Sequence, residues 1–369
     1  MRSRKALANI VFSLMYQLVA ICCGLVVPRI IINTFGSSTN GLLSSITRFL
    51  GFIVLLEGGV GGVVRAALYG PLAGRDYYSV SRIMKATERF FRSIGLVFLA
   101  YLLVIACTLP FVTNIDSGFF YTFSLVLIIG ASTFFQYCFG ISNFILLQAD
   151  QRQYVTHCIQ IFTVSINAVL VVFLTKLGFG IHVVQLASSV IYILRPILVT
   201  LFVKRKYDLQ CDVEPDDEAI SQRWHGLGHH LAYLLHHNAD ITLLTLFADL
   251  KDVSVYAVYN LVVSSLRQLV STCFTSLEAS FGNMIAKKET STLEKNFSAF
   301  EFSVFAVTTI LFTSAALLIL PFVSLYTRGV DDADYWRPLL SGLMVLSEAI
   351  YCIRTPYNAV ILAAGHYKE

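Results

Sequence analysis

The chain has 369 residues, of which 56% are hydrophobic and only 14% charged, with a formal net charge of +4. Soluble globular proteins run about 45–50% apolar and about 25% charged, and here the apolar excess recurs along the whole length, which excludes a disordered chain, a disulfide scaffold and an ordinary soluble enzyme. What remains is an all-α, multi-pass membrane protein, because a bilayer core of about 30 Å demands runs of about 20 apolar residues; the charge is too small and too scattered for a nucleic-acid partner.

Ten membrane-spanning helices are predicted, over Leu7–Val27, Leu42–Ala66, Phe90–Val112, Phe119–Leu147, Val155–Leu174, Ile181–Val203, Gly226–Leu246, Val253–Phe281, Phe297–Val323 and Trp336–Ala364. Each run exceeds the roughly ten residues of a barrel strand. The first follows Arg2, Arg4 and Lys5 like a signal peptide, but it lacks a small-residue cleavage site and reads as a retained helix. Eighteen of the 27 Lys and Arg fall in one set of loops, five in the opposite set and four inside spans. That bias places the N-terminus and Glu369 on the cytoplasmic side. Seven of the eight cysteines lie in apolar stretches and none forms a C-x-x-C pair, so neither a zinc site nor a disulfide framework is expected.

The second span carries Arg48 and Glu57, followed by Gly58, Gly59, Gly61 and Gly62. That cluster predicts a hinge or a break at membrane depth. The sixth span offers Gln185, Ser188, Ser189, Tyr192 and Arg195, then Pro196. The polar stretch Lys204–Arg223 is read as a cytoplasmic linker too short to fold alone. It separates an N-terminal lobe (1–203, helices 1–6) from a partial C-terminal lobe (225–369, helices 7–10).

The seventh span holds His225, His229, His230, His236, His237 and Asp240. Three readings stand beside one another: a metal site, a proton-coupling site and a polar lining. In the eighth span Tyr256, Asn260, Ser264, Arg267, Ser271, Thr275 and Glu278 fall within an arc of about 100°. The tenth repeats the pattern with Glu348, Tyr351, Arg354, Thr355 and Asn358, and Pro356 is expected to bend it.

A charge in the bilayer must face a partner or a wet cavity. Two readings of the embedded arginines follow. Arg48, Arg195, Arg267 and Arg354 line a central cavity for an anionic, phosphorylated substrate, since the planar guanidinium meets phosphate oxygens bidentately. Alternatively they are neutralised by Glu57, Asp240, Glu278 and Glu348 in interhelical ion pairs that only hold the bundle together. The acidic Asp332-Ala333-Asp334 loop and the Asn296-Phe297-Ser298 sequon are set aside, and neither a phosphate-binding loop nor a nucleophile elbow is present.

The two halves resemble each other. Leu109-Pro110-Phe111-Val112 answers Leu320-Pro321-Phe322-Val323, Asn143 answers Asn358, and Arg48 answers Arg267. Parallel repeats of one bundle are the expectation. They would place partners of spans five and six at about 370–418, so the chain reads as six helices plus four of a two-lobed transporter, truncated at its C-terminus.

The stretch Phe49–Gly62, the Leu146-Leu147-Gln148-Ala149-Asp150-Gln151 loop, Gly228-His229-His230 and Ala363-Ala364-Gly365-His366-Tyr367-Lys368 resemble the Wzx-type polysaccharide flippases of the multidrug/oligosaccharidyl-lipid/polysaccharide exporter superfamily. The resemblance implies a two-lobed exporter fold in the bacterial cytoplasmic membrane. It also implies translocation of undecaprenyl-diphosphate-linked oligosaccharides for O-antigen, capsule or exopolysaccharide assembly, alongside other polysaccharide-assembly membrane proteins. No cofactor is implied beyond coupling to H+ or Na+. On this expectation Arg48 and Arg267 clamp the diphosphate, Arg195 and Arg354 guide it, and Asn260 and Asn358 join the substrate-binding set. Glu57, His229, His236, Asp240, Glu278 and Glu348 are the candidates for ion coupling. A drug–cation antiporter of the same superfamily and a membrane glycosyltransferase or polymerase are the rival functions.

Overall fold

The computed structural model describes residues 2–57, 60–113, 118–210, 212–224, 238–286 and 290–363. Every described regular element is a helix. The first is α1 (Arg2–Phe35), followed by α2 (Ser37–Gly51), the short α3 (Val54–Glu57), α4 (Val60–Gly74), α5 (Tyr77–Thr113) and α6 (Phe119–Phe139). Then come α7 (Ile141–Ala149), α8 (Gln153–Lys176), α9 (Ile181–Lys206) and a 3-10 turn over Glu218–Trp224. The apolar α10 (Asn238–Phe247) precedes α11 (Leu250–Ala286), α12 (Thr290–Tyr326), α13 (Pro338–Ile353) and α14 (Thr355–Ala363). Among the described residues the ten predicted spans coincide with helices; of the seventh, 238–246 is described and lies on α10. Among the described residues eight helical stretches are long and apolar enough to cross a membrane.

The lipid side is written in exposure. Leu7, Ile10, Val11, Leu14 and Leu18 of α1 are all exposed, and only 6% of the most apolar window of that helix is buried. A face of this kind is stable only against hydrocarbon. With 37 residues, α5 is about 55 Å long and outruns a hydrocarbon core of about 30 Å. Its first turns, with Arg82, Lys85, Arg89 and Arg92, therefore project beyond the core.

The chain divides into two compact units, Met1–Ser254 and Val255–Glu369. In the first, α5 packs on α6, α6 on α9, α9 on α8 and α8 on α1. Close approach of α5 and α6 rests on Gly130, where a Cβ would sit 2.2 Å from Leu102 Cδ1. Residues 238–254 belong to this unit because they pack on α2. Asn40 Nδ2 donates to Ser254 Oγ (2.8 Å), and the hydroxyls of Ser45 and Thr245 are 2.7 Å apart. A Cβ on Gly41 would lie 1.9 Å from the Leu250 carbonyl oxygen.

The stretch read as a linker docks on α5. Asp216 N–H donates to the Arg82 carbonyl (3.2 Å), Arg89 meets Asp217 at 2.8 Å, and Ile220 is fully buried. Too short to fold alone, it borrows the surface of the first unit.

At the basic end, Asp150 ties three helices together. Lys5 Nζ of α1 donates to its carbonyl (3.0 Å) and to Oδ1 (3.1 Å), while Tyr207, just after α9, donates to Oδ2 at 2.6 Å. Arg152 Nε donates to the same oxygen. Asn9 adds a second clasp, donating to the Gln151 carbonyl (3.1 Å) and accepting from Tyr154 N–H (2.8 Å). Burial pushes the Asp150 carboxyl up, but the hydrogen bonds from Tyr207, Arg152 and Lys5 outweigh it and hold the carboxyl below the usual carboxylate range. A carboxyl depressed on folding contributes stability above its unfolded pKa, and the contribution is lost as pH falls through the folded value. Asp150→Asn is expected to lower stability by about 1–3 kcal/mol at neutral pH, allowing for partial exposure. The gap to the parent protein should narrow on acidification, as followed by thermal unfolding across a pH series.

Candidate functional site

In the first unit the polar face of α9 meets α8. The spacing of Ser188, Ser189, Tyr192 and Arg195 keeps them on one side of the helix, and both serines are buried. Ser189 Oγ donates to the Ile128 carbonyl of α6 at 2.6 Å. Arg195 Nε donates to Thr163 Oγ1 of α8 at 2.7 Å, and its Cζ sits 4.4 Å from the centroid of the Tyr192 ring. The Tyr192 hydroxyl accepts from Asn167 Nδ2 at 3.0 Å. No carboxylate lies within ion-pair distance of Arg195 among the described residues. The guanidinium is held by a hydroxyl and a π-face, which stabilise a cation without neutralising it.

Thr163 and Asn167 were not among the predicted site residues. Their signal was present: Gln160, Thr163 and Asn167 repeat at 3 and 4 along an otherwise apolar span, the stripe that marked the eighth and tenth spans.

The second span is interrupted at 52–53, ahead of the glycine cluster; of that cluster Gly58 and Gly59 lie outside the described residues, and Gly61 and Gly62 are on α4. The helix ends at Gly51 and continues through tight three-residue turns, with Ile53 N–H on the Leu50 carbonyl (3.4 Å) and Leu56 N–H on the Ile53 carbonyl (2.9 Å). Two tyrosines bond on either side of the interruption. The Tyr101 hydroxyl donates to the Phe49 carbonyl at 2.7 Å, and Tyr137 Oη donates to Glu57 Oε1. The Phe49 carbonyl also accepts from Phe52 N–H at 3.2 Å, so the tyrosine gives it a second bond. Arg48, half-buried, stands one turn before the break.

In the second unit, Arg267 Nη1 of α11 donates to both carboxylate oxygens of Glu348 on α13, at 3.0 and 3.2 Å. Tyr351 lies beneath two guanidinium groups, with Arg267 Cζ 5.4 Å and Arg354 Cζ 5.2 Å from its ring centroid. The tenth span divides beside Pro356: α13 stops at Ile353 and α14 starts at Thr355, although the N–H groups of Arg354 and Asn358 keep helical bonds to the Ile350 (3.1 Å) and Arg354 (3.2 Å) carbonyls. Proline has no N–H to continue the ladder and crowds the carbonyl four residues back. Asn260 and Asn358 are half-buried on α11 and α14, and Arg354 is exposed.

The two readings of the embedded charges therefore divide. Ion pairing describes Arg267 with Glu348. It does not describe Glu57, bonded to a tyrosine hydroxyl, or Arg195, which has no acid within reach among the described residues. Asp240 is exposed on α10. His229 and His236 lie outside the described residues with the rest of the histidine cluster, as does the side chain of Glu278.

Several solved structures share this fold. An inward-facing multidrug resistance MATE family transporter of the MOP superfamily matches with a TM-score of 0.69 at 13% identity, over 96% of this chain and 84% of that one. A MATE in a bent conformation matches at 0.61 and 16% identity, over 98% and 84%. The eukaryotic MATE transporter AtDTX14 matches at 0.52 and 14%, over 97% and 84%. Identities this low show the fold alone. Neither any protein-family model nor any curated protein matches the chain.

Proposed function

We propose that this chain carries undecaprenyl-diphosphate-linked oligosaccharide across the bacterial cytoplasmic membrane by alternating access, with H+ or Na+ as the coupling ion. The observation that carries the reading is the surroundings of Arg195: a guanidinium inside an apolar bundle, bordered by hydroxyl, amide and phenol groups, with no described carboxylate in reach. A charge so placed costs several kcal/mol unless something compensates it, and an anionic substrate supplies the compensation. The polar groups beside it suit sugar hydroxyls. Glu57, Asp240, Glu278, Glu348, His229 and His236 are the groups proposed to exchange the coupling ion.

A second reading, export of cationic compounds, draws on two observations. The solved structures sharing the fold include a multidrug resistance transporter, and Glu57 with Tyr137 forms an acidic, aromatic pair of the type that receives a cation. Proteoliposomes containing the purified chain separate the two. Flipping of a fluorescent diphosphate-linked oligosaccharide well above the protein-free rate, with no transport of a cationic dye, is the expected result. Dye transport without flipping would establish the second reading in its place.

A further inference from the structure

One face of α5 changes character along its length. Arg82, Lys85, Arg89 and Arg92 fall within an arc of about 80° on a helical wheel, and Leu96, Leu99 and Leu103 continue the same face. The side chains of Arg89 and Arg92 are 66% and 62% exposed, and the three leucines are exposed as well. Leu96 follows Arg92 by one turn, about 6 Å of helix axis, so cations give way to hydrocarbon within that distance. A second helix adds to both halves. Lys204 of α9 faces Glu88 together with Lys85 and Arg92, and Leu201, one turn before it, is exposed.

Two acids stand among these cations. Asp217 meets Arg89 at 2.8 Å, and Glu88 lies 3.9 Å from Arg92. Both pairs are at the surface, where an ion pair is worth little and another anion can take its place. Lys85, Arg89, Arg92 and Lys204 against Glu88 and Asp217 leave the patch positive. Its occupant must bring an anion at the level of Arg92 and Lys204, and hydrocarbon at the level of Leu96 and Leu201. A soluble phosphate leaves the leucines bare. An acidic protein segment, such as the one carrying Asp217, approaches from water and does not enter hydrocarbon. A zwitterionic lipid covers the leucines, but its headgroup cancels its own charge. We infer that this patch binds an anionic glycerophospholipid, its phosphate among Arg89, Arg92 and Lys204 and its acyl chains along Leu96, Leu103 and Leu201. Asp217 then competes with the phosphate for Arg89. The site lies on the lipid-facing surface at the basic end of the first unit and is independent of the transported cargo.

The test titrates the full chain in detergent micelles with phosphatidylglycerol and phosphatidylcholine of identical acyl chains, and counts bound lipid by native mass spectrometry. A cation near a membrane surface strengthens binding of an anionic lipid about fivefold, so three of them give a preference for phosphatidylglycerol of about a hundredfold. Replacing Arg89, Arg92 and Lys204 together by Gln should bring that preference close to one and leave phosphatidylcholine binding unchanged. Lys176→Gln removes an exposed cation at the far end of α8 and should change neither. Asp217→Asn should strengthen phosphatidylglycerol a few-fold by freeing Arg89, a gain that loss of folding cannot mimic. Glycerol 3-phosphate, the same anion without chains, should show no saturable binding where phosphatidylglycerol saturates. Equal affinity for the two lipids would overturn the proposal, as would a preference that survives the triple substitution or falls equally in Lys176→Gln. Phosphatidylglycerol binding no stronger in Asp217→Asn, or glycerol 3-phosphate as tight as the lipid, would also count against it.

Discussion

Arg267→Ala is expected to destabilise the chain by about 3–5 kcal/mol, the range for removing one partner of a buried ion pair. The pair qualifies because both ends are shielded: the side chains are 21% and 15% exposed, and one guanidinium nitrogen bonds both carboxylate oxygens. Removal takes the guanidinium from a carboxylate that the bilayer region cannot solvate. The loss should fall mainly on the packing of α11 against α13. Replacing both residues, as in Arg267→Leu with Glu348→Leu, should recover most of the stability, since two apolar side chains of similar bulk remove both charges at once. Thermal unfolding of the single and double variants checks this. A double variant no more stable than Arg267→Ala would show that the pair is not the source of the loss. In proteoliposomes, a double variant that is stable but inactive would assign the pair a part in transport beyond holding two helices together.

Gly41→Ala should lower stability by about 3 kcal/mol or more, at or above the upper end of the range for overpacking. Its added methyl would lie 1.9 Å from the carbonyl oxygen and 2.8 Å from the carbonyl carbon of Leu250. The obstacle is backbone and cannot swing aside as a side chain can. Relief requires separating α2 from 238–254, and that breaks the bonds from Asn40 to Ser254 and between Ser45 and Thr245. Gly70→Ala is the control, because nothing lies within 4 Å of its added Cβ. Equal melting temperatures for the two variants would refute the close approach.

Much of the architecture was legible from the residues because a bilayer imposes simple demands. A run of apolar residues at membrane length has to be a helix, since no water is present to satisfy a bare backbone. Pro356 pointed to a break in the tenth span, since it has no N–H to continue the ladder, but Pro28, Pro110, Pro196 and Pro321 lie inside continuous helices, so proline alone did not say which span divides. The interruption of the second span at 52–53 was not legible from the glycine cluster, which follows it in the chain. Beside that point stand Tyr101 and Tyr137, remote in sequence, whose hydroxyls donate to the Phe49 carbonyl and the Glu57 carboxylate.

The embedded charges show the limit of the same reasoning. Four arginines and four acids could be matched on paper, and their positions on helical wheels did not say which met which. Sequence by itself determined that these groups lie within apolar helical spans, because hydrophobic periodicity is a local property. Tertiary structure alone decided that Arg267 is paired with Glu348, that Glu57 is bonded to Tyr137, and that Arg195 rests on Thr163 and Tyr192. The physical reason is distance. Electrostatic and hydrogen-bond energies depend on separations of a few ångströms between side chains on different helices, and only the packing of those helices sets such separations.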